Sequence, residues 1–311
     1  MTNPQAQASV LESGSEPGVA PEPHVEAFHD PRTGSVQYVV SDPMSRQCAI
    51  IDPVLDYDEN SGRVQALHAD ELLSHVRANG LKVEWILDTH PHADHFSAST
   101  YLSNATGAPM AIGANVVGVQ QIWRDLYNLP SLKADGSQWD RLFRHGDRFR
   151  IGTLEATVLD SPGHTMASVS YVVGNAAFIH DTLFMPDSGT ARADFPGADA
   201  GTLWRSIQAI LSLPEETRLF TGHDYQPGGR APAWQSSVRD QKQHNPHVFG
   251  QDETSYVALR QDRDRTLAIP RLMLHALQVN LNGGRLPEPE DNGRRYLKLP
   301  LDALGDRAWA R

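Results

Sequence analysis

A single cysteine, Cys48, in a chain of 311 residues has no partner for an intramolecular disulfide. The fold therefore does not depend on an oxidising compartment, and the cytoplasm is the simplest address. Cys48 sits in the apolar run Gln47-Cys48-Ala49-Ile50-Ile51, where a small core hydrophobe is expected rather than a reactive thiol. Long apolar runs are also missing: none approaches the ~18 residues that suggest a membrane span. Basic side chains are in deficit, 27 against 38 acidic ones, for a formal net charge of -11. That excess repels phosphate backbones and anionic lipid surfaces, so neither nucleic acid nor a membrane is an expected partner. An anionic small molecule needs Arg or Lys concentrated locally in its pocket.

Residues 1–23 contain no Lys or Arg and no continuous apolar stretch, but much Pro, Ser, Gly, Ala, Gln and Glu. A signal or transit peptide is not expected there; a disordered tail is. The remainder, residues 24–311, reads as one folded unit with a helical C-terminal part. Val36–Val40 and Cys48–Ile51 are β-type runs separated by a Ser41-Asp42-Pro43 turn signal. Leu67, Leu72, Leu73 and Val76 lie at helical spacing and Gly80 follows, which predicts a helix over 67–78. Val83–Leu87 predicts a strand, 115–128 a helix, and 149–179 a series of strands. A helix over 201–213 precedes the strand-like Arg218-Leu219-Phe220. Trp123 and Tyr127 are expected in the core or a subunit contact.

Three groups of residues carry chemistry. His90, His92, Asp94 and His95 fall within the segment Thr89-His90-Pro91-His92-Ala93-Asp94-His95, directly after a predicted strand. His164 lies in the turn Ser161-Pro162-Gly163-His164-Thr165; Asp181 and His223 lie in His180-Asp181-Thr182 and Thr221-Gly222-His223-Asp224-Tyr225. Neutral imidazoles bind divalent metals and carboxylates add charge or bridge two ions, so such clusters at strand ends point to a metal centre. His24, His29, His68, His75, His145, His244, His247 and His275 lie outside these motifs and are expected to be ordinary core or surface residues.

In order and spacing these motifs resemble those of the metallo-β-lactamase superfamily, over roughly residues 25 to 300. The resemblance implies an α/β fold of the αββα sandwich type, two mixed β-sheets flanked by helices, with metal held by loops at one edge. It also implies two chemistries. In the glyoxalase II branch two Zn(II) ions are bound, one by His90, His92 and His164 and one by Asp94, His95 and His223, with Asp181 bridging. A metal-activated water would then hydrolyse a glutathione thioester. In the persulfide dioxygenase branch one Fe(II) per chain is held by His90, His164 and Asp181, while His92, Asp94, His95 and His223 orient those ligands. Glutathione persulfide and O2 would become sulfite and glutathione, a sulfide-detoxifying reaction.

Residues outside the metal motifs favour the second branch. Arg192-Ala193-Asp194-Phe195-Pro196-Gly197 and the following 202–207 segment look like the corresponding stretch of persulfide dioxygenases, as do Asp224, where the hydrolases usually carry Glu, and Val279-Asn280-Leu281. A dianionic thiol carrier needs cations; by position Arg192 is the first candidate and Lys242 the second. Thr165 and Tyr225 are candidates near the metal. His180 stands where the family usually has glycine, Thr190 where the dioxygenases often have cysteine, and the segment 123–140 is longer than in compact members and is expected near the pocket mouth. A homodimer is compatible with the resemblance, since such relatives often pair.

Overall fold

The computed structural model describes residues 22–304; the expected N-terminal tail lies outside them apart from Glu22 and Pro23. In chain order the first half comprises β1 (His24–His29), β2 (Val36–Ser41), β3 (Gln47–Ile51), β4 (Val54–Asp58), β5 (Arg63–Gln65), α1 (Leu67–Ala78), β6 (Lys82–Leu87), β7 (Phe96–Ser97), α2 (Ser99–Thr106), β8 (Met110–Gly113), α3 (Val116–Tyr127) and β9 (Arg141–Phe143). The second half comprises β10 (Arg148–Ile151), β11 (Leu154–Asp160), β12 (Val169–Val173), β13 (Ala176–His180), α4 (Ala200–Leu211), β14 (Arg218–Thr221), β15 (Gln235–Ser237), α5 (Val238–His244), α6 (Glu253–Asp264) and α7 (Met273–Asn280).

Each half builds one 6-stranded sheet, ordered β1-β2-β3-β6-β8-β9 and β10-β11-β12-β13-β14-β15. Both are mixed: β3, β6, β8 and β9 run parallel to one another, as do β13 and β14, whereas the other pairings in the two sheets are antiparallel. Alternation along the strands separates the layers. Val36, Tyr38, Val40, Ala49 and Ile51 face the seam between the sheets, where they meet Tyr171, Phe178 and Phe220. The intervening Val39, Cys48 and Ile50 face the opposite way, onto helical residues such as Leu72, Val76, Val119 and Leu277. On the far side Ile179 and Leu219 pack with Leu203, Ile207 and Tyr256 of α4 and α6. The result is the expected αββα sandwich.

The helix predicted over 67–78 is found there, with Leu72, Leu73 and Val76 buried. Trp123 and Tyr127 are buried in the core, as expected of such aromatics. Cys48 is fully buried and burial pushes its thiol up to about 12, which suits a core role. The long 123–140 segment folds inward: Trp139 donates from Nε1 to Asp88, and Gln138 accepts a bond from Gln120.

Candidate metal centre

The ligand-bearing residues all lie just beyond strand ends on one edge of the sandwich. His90, His92, Asp94 and His95 follow β6; His164 follows β11; Asp181 directly follows β13; His223 follows β14. Donor atoms of His90, His164 and Asp181 lie within 4.8 Å of one another, and so do those of His92, Asp94 and His95. His164 Nε2 is 3.8 Å from an Asp181 oxygen, and His223 Nδ1 is 3.3 Å from Asp94. The structure therefore brings together all seven residues that the motifs single out.

Hydrogen bonds fix which imidazole nitrogen faces the centre. Thr89 Oγ1 gives its one proton to Asp52, at 2.7 Å, so it can only accept from His90 Nδ1, at 3.0 Å. That leaves His90 Nε2 as a lone pair, and it is buried without a hydrogen-bond partner. A buried imidazole with an unspent lone pair beside a second imidazole and a carboxylate fits a divalent metal. Likewise His164 Nδ1 donates to the Arg192 carbonyl (2.9 Å) and His95 Nδ1 to the Phe96 carbonyl (3.0 Å).

Electrostatics divide the cluster. Burial, reinforced by His92, His180 and His164, holds His90 well below the ordinary histidine range, so it stays neutral as a ligand must. Burial also opposes charge on His92, but Asp52, 3.0 Å away, outweighs it and lifts His92 to about 9. For His223 the Asp94 carboxylate likewise overcomes burial, again to about 9. Asp94 is held well below the usual carboxyl range, its burial cost offset by His95 and His223.

Several supporting residues had no role assigned from the sequence, although Asp224 and Asn280 belong to segments that carry the resemblance. Asp52 takes bonds from the Thr89 amide and hydroxyl and pairs with His92. Ser35 donates to Asp94 at 2.5 Å. Asn280 of α7 donates to the carbonyls of His92 and His95 and accepts from the Ser97 amide, stapling the histidine loop from the other end of the chain. A side chain at Gly222 would put its Cβ 2.8 Å from Asp181 Oδ1, so only glycine fits without displacing that ligand. Asp224 grips Arg230 with both oxygens and caps the Ala233 amide, which holds the His223 loop.

The departure at His180 has a geometric account. Its φ is 41°, in the left-handed region that glycine occupies at little cost. The ring turns inward: Nε2 lies 2.8 Å from Ser161 Oγ and 3.0 Å from Thr182 Oγ1, and the ring centroid is 5.2 Å from that of His90. Burial, with His164 and His92 nearby, keeps it well below the normal histidine range.

A cavity of about 410 Å³ opens onto Asp94, His164, Asp181 and His223, with Arg192, Tyr225 and Arg263 among its lining residues. Tyr225 stacks on the His223 ring. The other substrate-side candidates fare differently. Arg192 lines the cavity, but Asp194 engages it through two bonds and the Ala268 carbonyl takes a third. Thr165 bonds Ser168 and lines a separate small pocket beside Pro91 and Trp123. Of the 123–140 segment, Trp123 lines that small pocket, and no residue of the segment lines the larger cavity. Lys242 is a correction: it lies on α5 in a groove with Trp204 and Gln208, outside the residues lining the metal-side cavity, because α5 packs toward α4. Of the cavity's arginines, Arg32, Arg192, Arg260 and Arg271 each have a carboxylate within 4 Å; Arg263 has none among the described residues.

Comparison with known proteins agrees with this geometry. Residues 19–223 match the model of the metallo-beta-lactamase superfamily. The chain belongs to that superfamily. This metallo-β-lactamase-fold protein is 67% identical over 287 residues to a "Beta-lactamase hydrolase-like protein" of Agrobacterium fabrum, covering 92% of the chain and 67% of that relative's length. It is 42% identical over 284 residues to "Glyoxylase B2" of Dictyostelium discoideum, covering 90% of the chain and 97% of the relative. Among solved structures it resembles ETHE1 from Myxococcus xanthus, with a TM-score of 0.70 and 29% identity over 84% of this chain and all of that one. Among the described residues no helix is long and apolar enough to cross a membrane.

Proposed function

We propose that this protein is a persulfide dioxygenase that uses one Fe(II), held by His90, His164 and Asp181, to oxidise glutathione persulfide. The observation that carries the reading is this group of two imidazoles and one carboxylate, gathered within 4.8 Å and open to an arginine-lined cavity. An Fe(II) ion bound by these residues would supply redox chemistry for O2 and a thiolate-type substrate. The balanced reaction takes the persulfide, O2 and one water to glutathione and sulfurous acid; the sulfane sulfur is oxidised and O2 is reduced. The likeness to ETHE1 supports the reading.

The chain's own residues prepare that site. Thr89 and the Arg192 carbonyl set the tautomers of His90 and His164 so that Nε2 of each is presented. Burial keeps His90 neutral. On the substrate side Arg263, with no carboxylate neighbour among the described residues, is the cation for a substrate carboxylate, and Arg192 acts mainly by holding Asp194 and the Ala268 loop. Tyr225 and Phe195 give the cavity apolar walls for the carrier's thiol arm.

The second donor group favours one other reading. His92, Asp94 and His95 also lie within 4.8 Å, and His223 touches Asp94, which is the inventory for a second Zn(II) with Asp181 bridging. That assignment is a glyoxalase II-like hydrolase of glutathione thioesters, in keeping with the name of the Dictyostelium relative. Oxygen uptake by anaerobically Fe(II)-loaded protein on adding glutathione persulfide, beside S-lactoylglutathione cleavage by Zn(II)-loaded protein, separates the two. Uptake with sulfite release is expected. Thioester cleavage without uptake overturns the dioxygenase reading.

A further inference from the structure

The peptide group between Arg192 and Ala193 is bonded at both ends. Its carbonyl accepts from His164 Nδ1 at 2.9 Å, and its N–H donates to Asp264 Oδ2 at 2.9 Å. Asp264 lies at the end of α6, one hundred residues from His164 in sequence, and is buried. Its other oxygen is gripped by Arg260, one turn earlier on the same helix, through Nε at 3.0 Å and Nη2 at 2.7 Å. Arg260 is 1% exposed, and its remaining Nη1 donates to the Thr190 carbonyl at 2.9 Å. The Thr190 hydroxyl in turn lies 3.1 Å from Tyr256 Oη and 3.1 Å from His247 Nδ1. Segment 190–193 is thus tied to α6 at two backbone points by one ion pair.

From this we infer that the Arg260–Asp264 pair positions the metal ligand His164 through a single peptide group. A buried ion pair contributes little net stability, because desolvation offsets much of the attraction. Its placement argues for another use. A carboxylate accepting from one end of a peptide polarises it and strengthens the acceptor at the other end, so hydrogen bonds in series reinforce one another. The His164 Nδ1–H then meets a carbonyl that behaves partly as a carboxylate, which raises the basicity of Nε2 and holds the ring in the ligating orientation. Without Asp264 the same carbonyl remains, but its peptide loses the bond that anchors the N–H end to α6. Arg260 and Asp264 are positioning residues here, and α6 reaches the centre without lending it a ligand. The inference rests on His164 binding metal, which the dioxygenase and hydrolase readings share, and not on which reaction follows.

The test uses metal binding and NMR on the full chain, so it stands apart from either assay of function. Asp264→Asn removes the charge but keeps the shape. Because that leaves Arg260 unpaired in the interior, the double variant Arg260→Gln/Asp264→Asn is made beside it to remove both charges together. In chelator competition with Zn(II), the folded variants are expected to bind about ten- to hundred-fold more weakly than the parent, and the His164 Nδ1–H resonance of 15N-histidine-labelled protein to lose its protection from exchange. In the unmodified chain, adding Zn(II) should move the Ala193 amide proton downfield, a measurement that needs no variant. A folded variant with parental Zn(II) affinity and an unaltered Nδ1–H resonance overturns the inference. So does an Ala193 amide that ignores the metal.

Discussion

Replacing Asn280 by alanine tests how the metal loop is held. Its side chain is 3% exposed and makes three bonds: Nδ2 to the His92 carbonyl at 2.8 Å and the His95 carbonyl at 2.7 Å, and Oδ1 from the Ser97 amide at 2.7 Å. Alanine deletes all three and leaves an amide and two carbonyls without those partners in a space too tight for easy hydration. A buried group left unsatisfied costs about 1–3 kcal/mol; with some relaxation of the loop, the sum is about 3–5 kcal/mol. Total stability is on the order of 5–15 kcal/mol, so the change is a large share of it. At about 2–4 °C per kcal/mol for a chain approaching this size, Tm should fall by roughly 10 °C. Asn280→Asp should be at least as damaging, since a carboxylate then faces two carbonyl oxygens. Thermal unfolding followed by circular dichroism on chelator-treated samples isolates the loop from any metal contribution. If both variants melt within about 2 °C of the parent, Asn280 does not staple the loop.

At Gly163, where φ is 132°, an added Cβ would sit 2.3 Å from the Leu203 Cα; Gly163→Ala should separate α4 from the turn carrying His164, and the purified protein should retain far less metal by elemental analysis than the parent. Asp181→Ala should lose metal retention and turnover together, and full activity in that variant would refute the ligand assignment. Lys242→Ala should leave KM for an anionic substrate unchanged, whereas Arg263→Ala should raise it about ten-fold or more with a smaller effect on kcat; the reverse order would move the anion site to the α4–α5 groove. Asp42 offsets its burial with bonds from Ser45, Thr153 and the Met44 amide and is lowered to about 2. A depressed carboxyl stabilises the fold above its unfolded value near 4 and loses that contribution as pH falls toward 2. Urea midpoints of the parent should therefore drop between pH 5 and pH 3 by more than those of Asp42→Asn.

Much of the site was legible because metal ligation is written locally. His90 through His95, His164, Asp181 and His223 each sit in a short motif directly after an apolar strand, and strand ends are where the fold gathers them. The helix over 67–78 was legible for the same local reason, a clean apolar period ended by glycine. What could not be read is what lies across the fold. Asp52, Ser35 and Asp264 are single polar residues without a motif, and Asn280 stood out only as part of a segment resembling the dioxygenases, with no role attached; their partners lie far away in sequence, and only the packed structure joins them to the ligand loops. Lys242 shows the converse. Sequence position alone put it near the substrate, but the direction a helix faces is decided by what it packs on. Short strands such as β5, β7 and β9 carry too few residues for a period, and pairing decides them rather than propensity.

The ligands come from both layers of the sandwich: His90 through His95 hang from the first sheet, while His164, Asp181 and His223 hang from the second. An ion held among them is a rivet through two plates. The seam behind it is apolar and held by non-directional contacts, whereas shearing the sheets apart would also have to break directional coordination bonds. Metal removal should therefore act mostly on how fast the protein comes apart rather than on how fast it assembles. The cell's supply of metal would then set the lifetime of the folded chain as well as its activity.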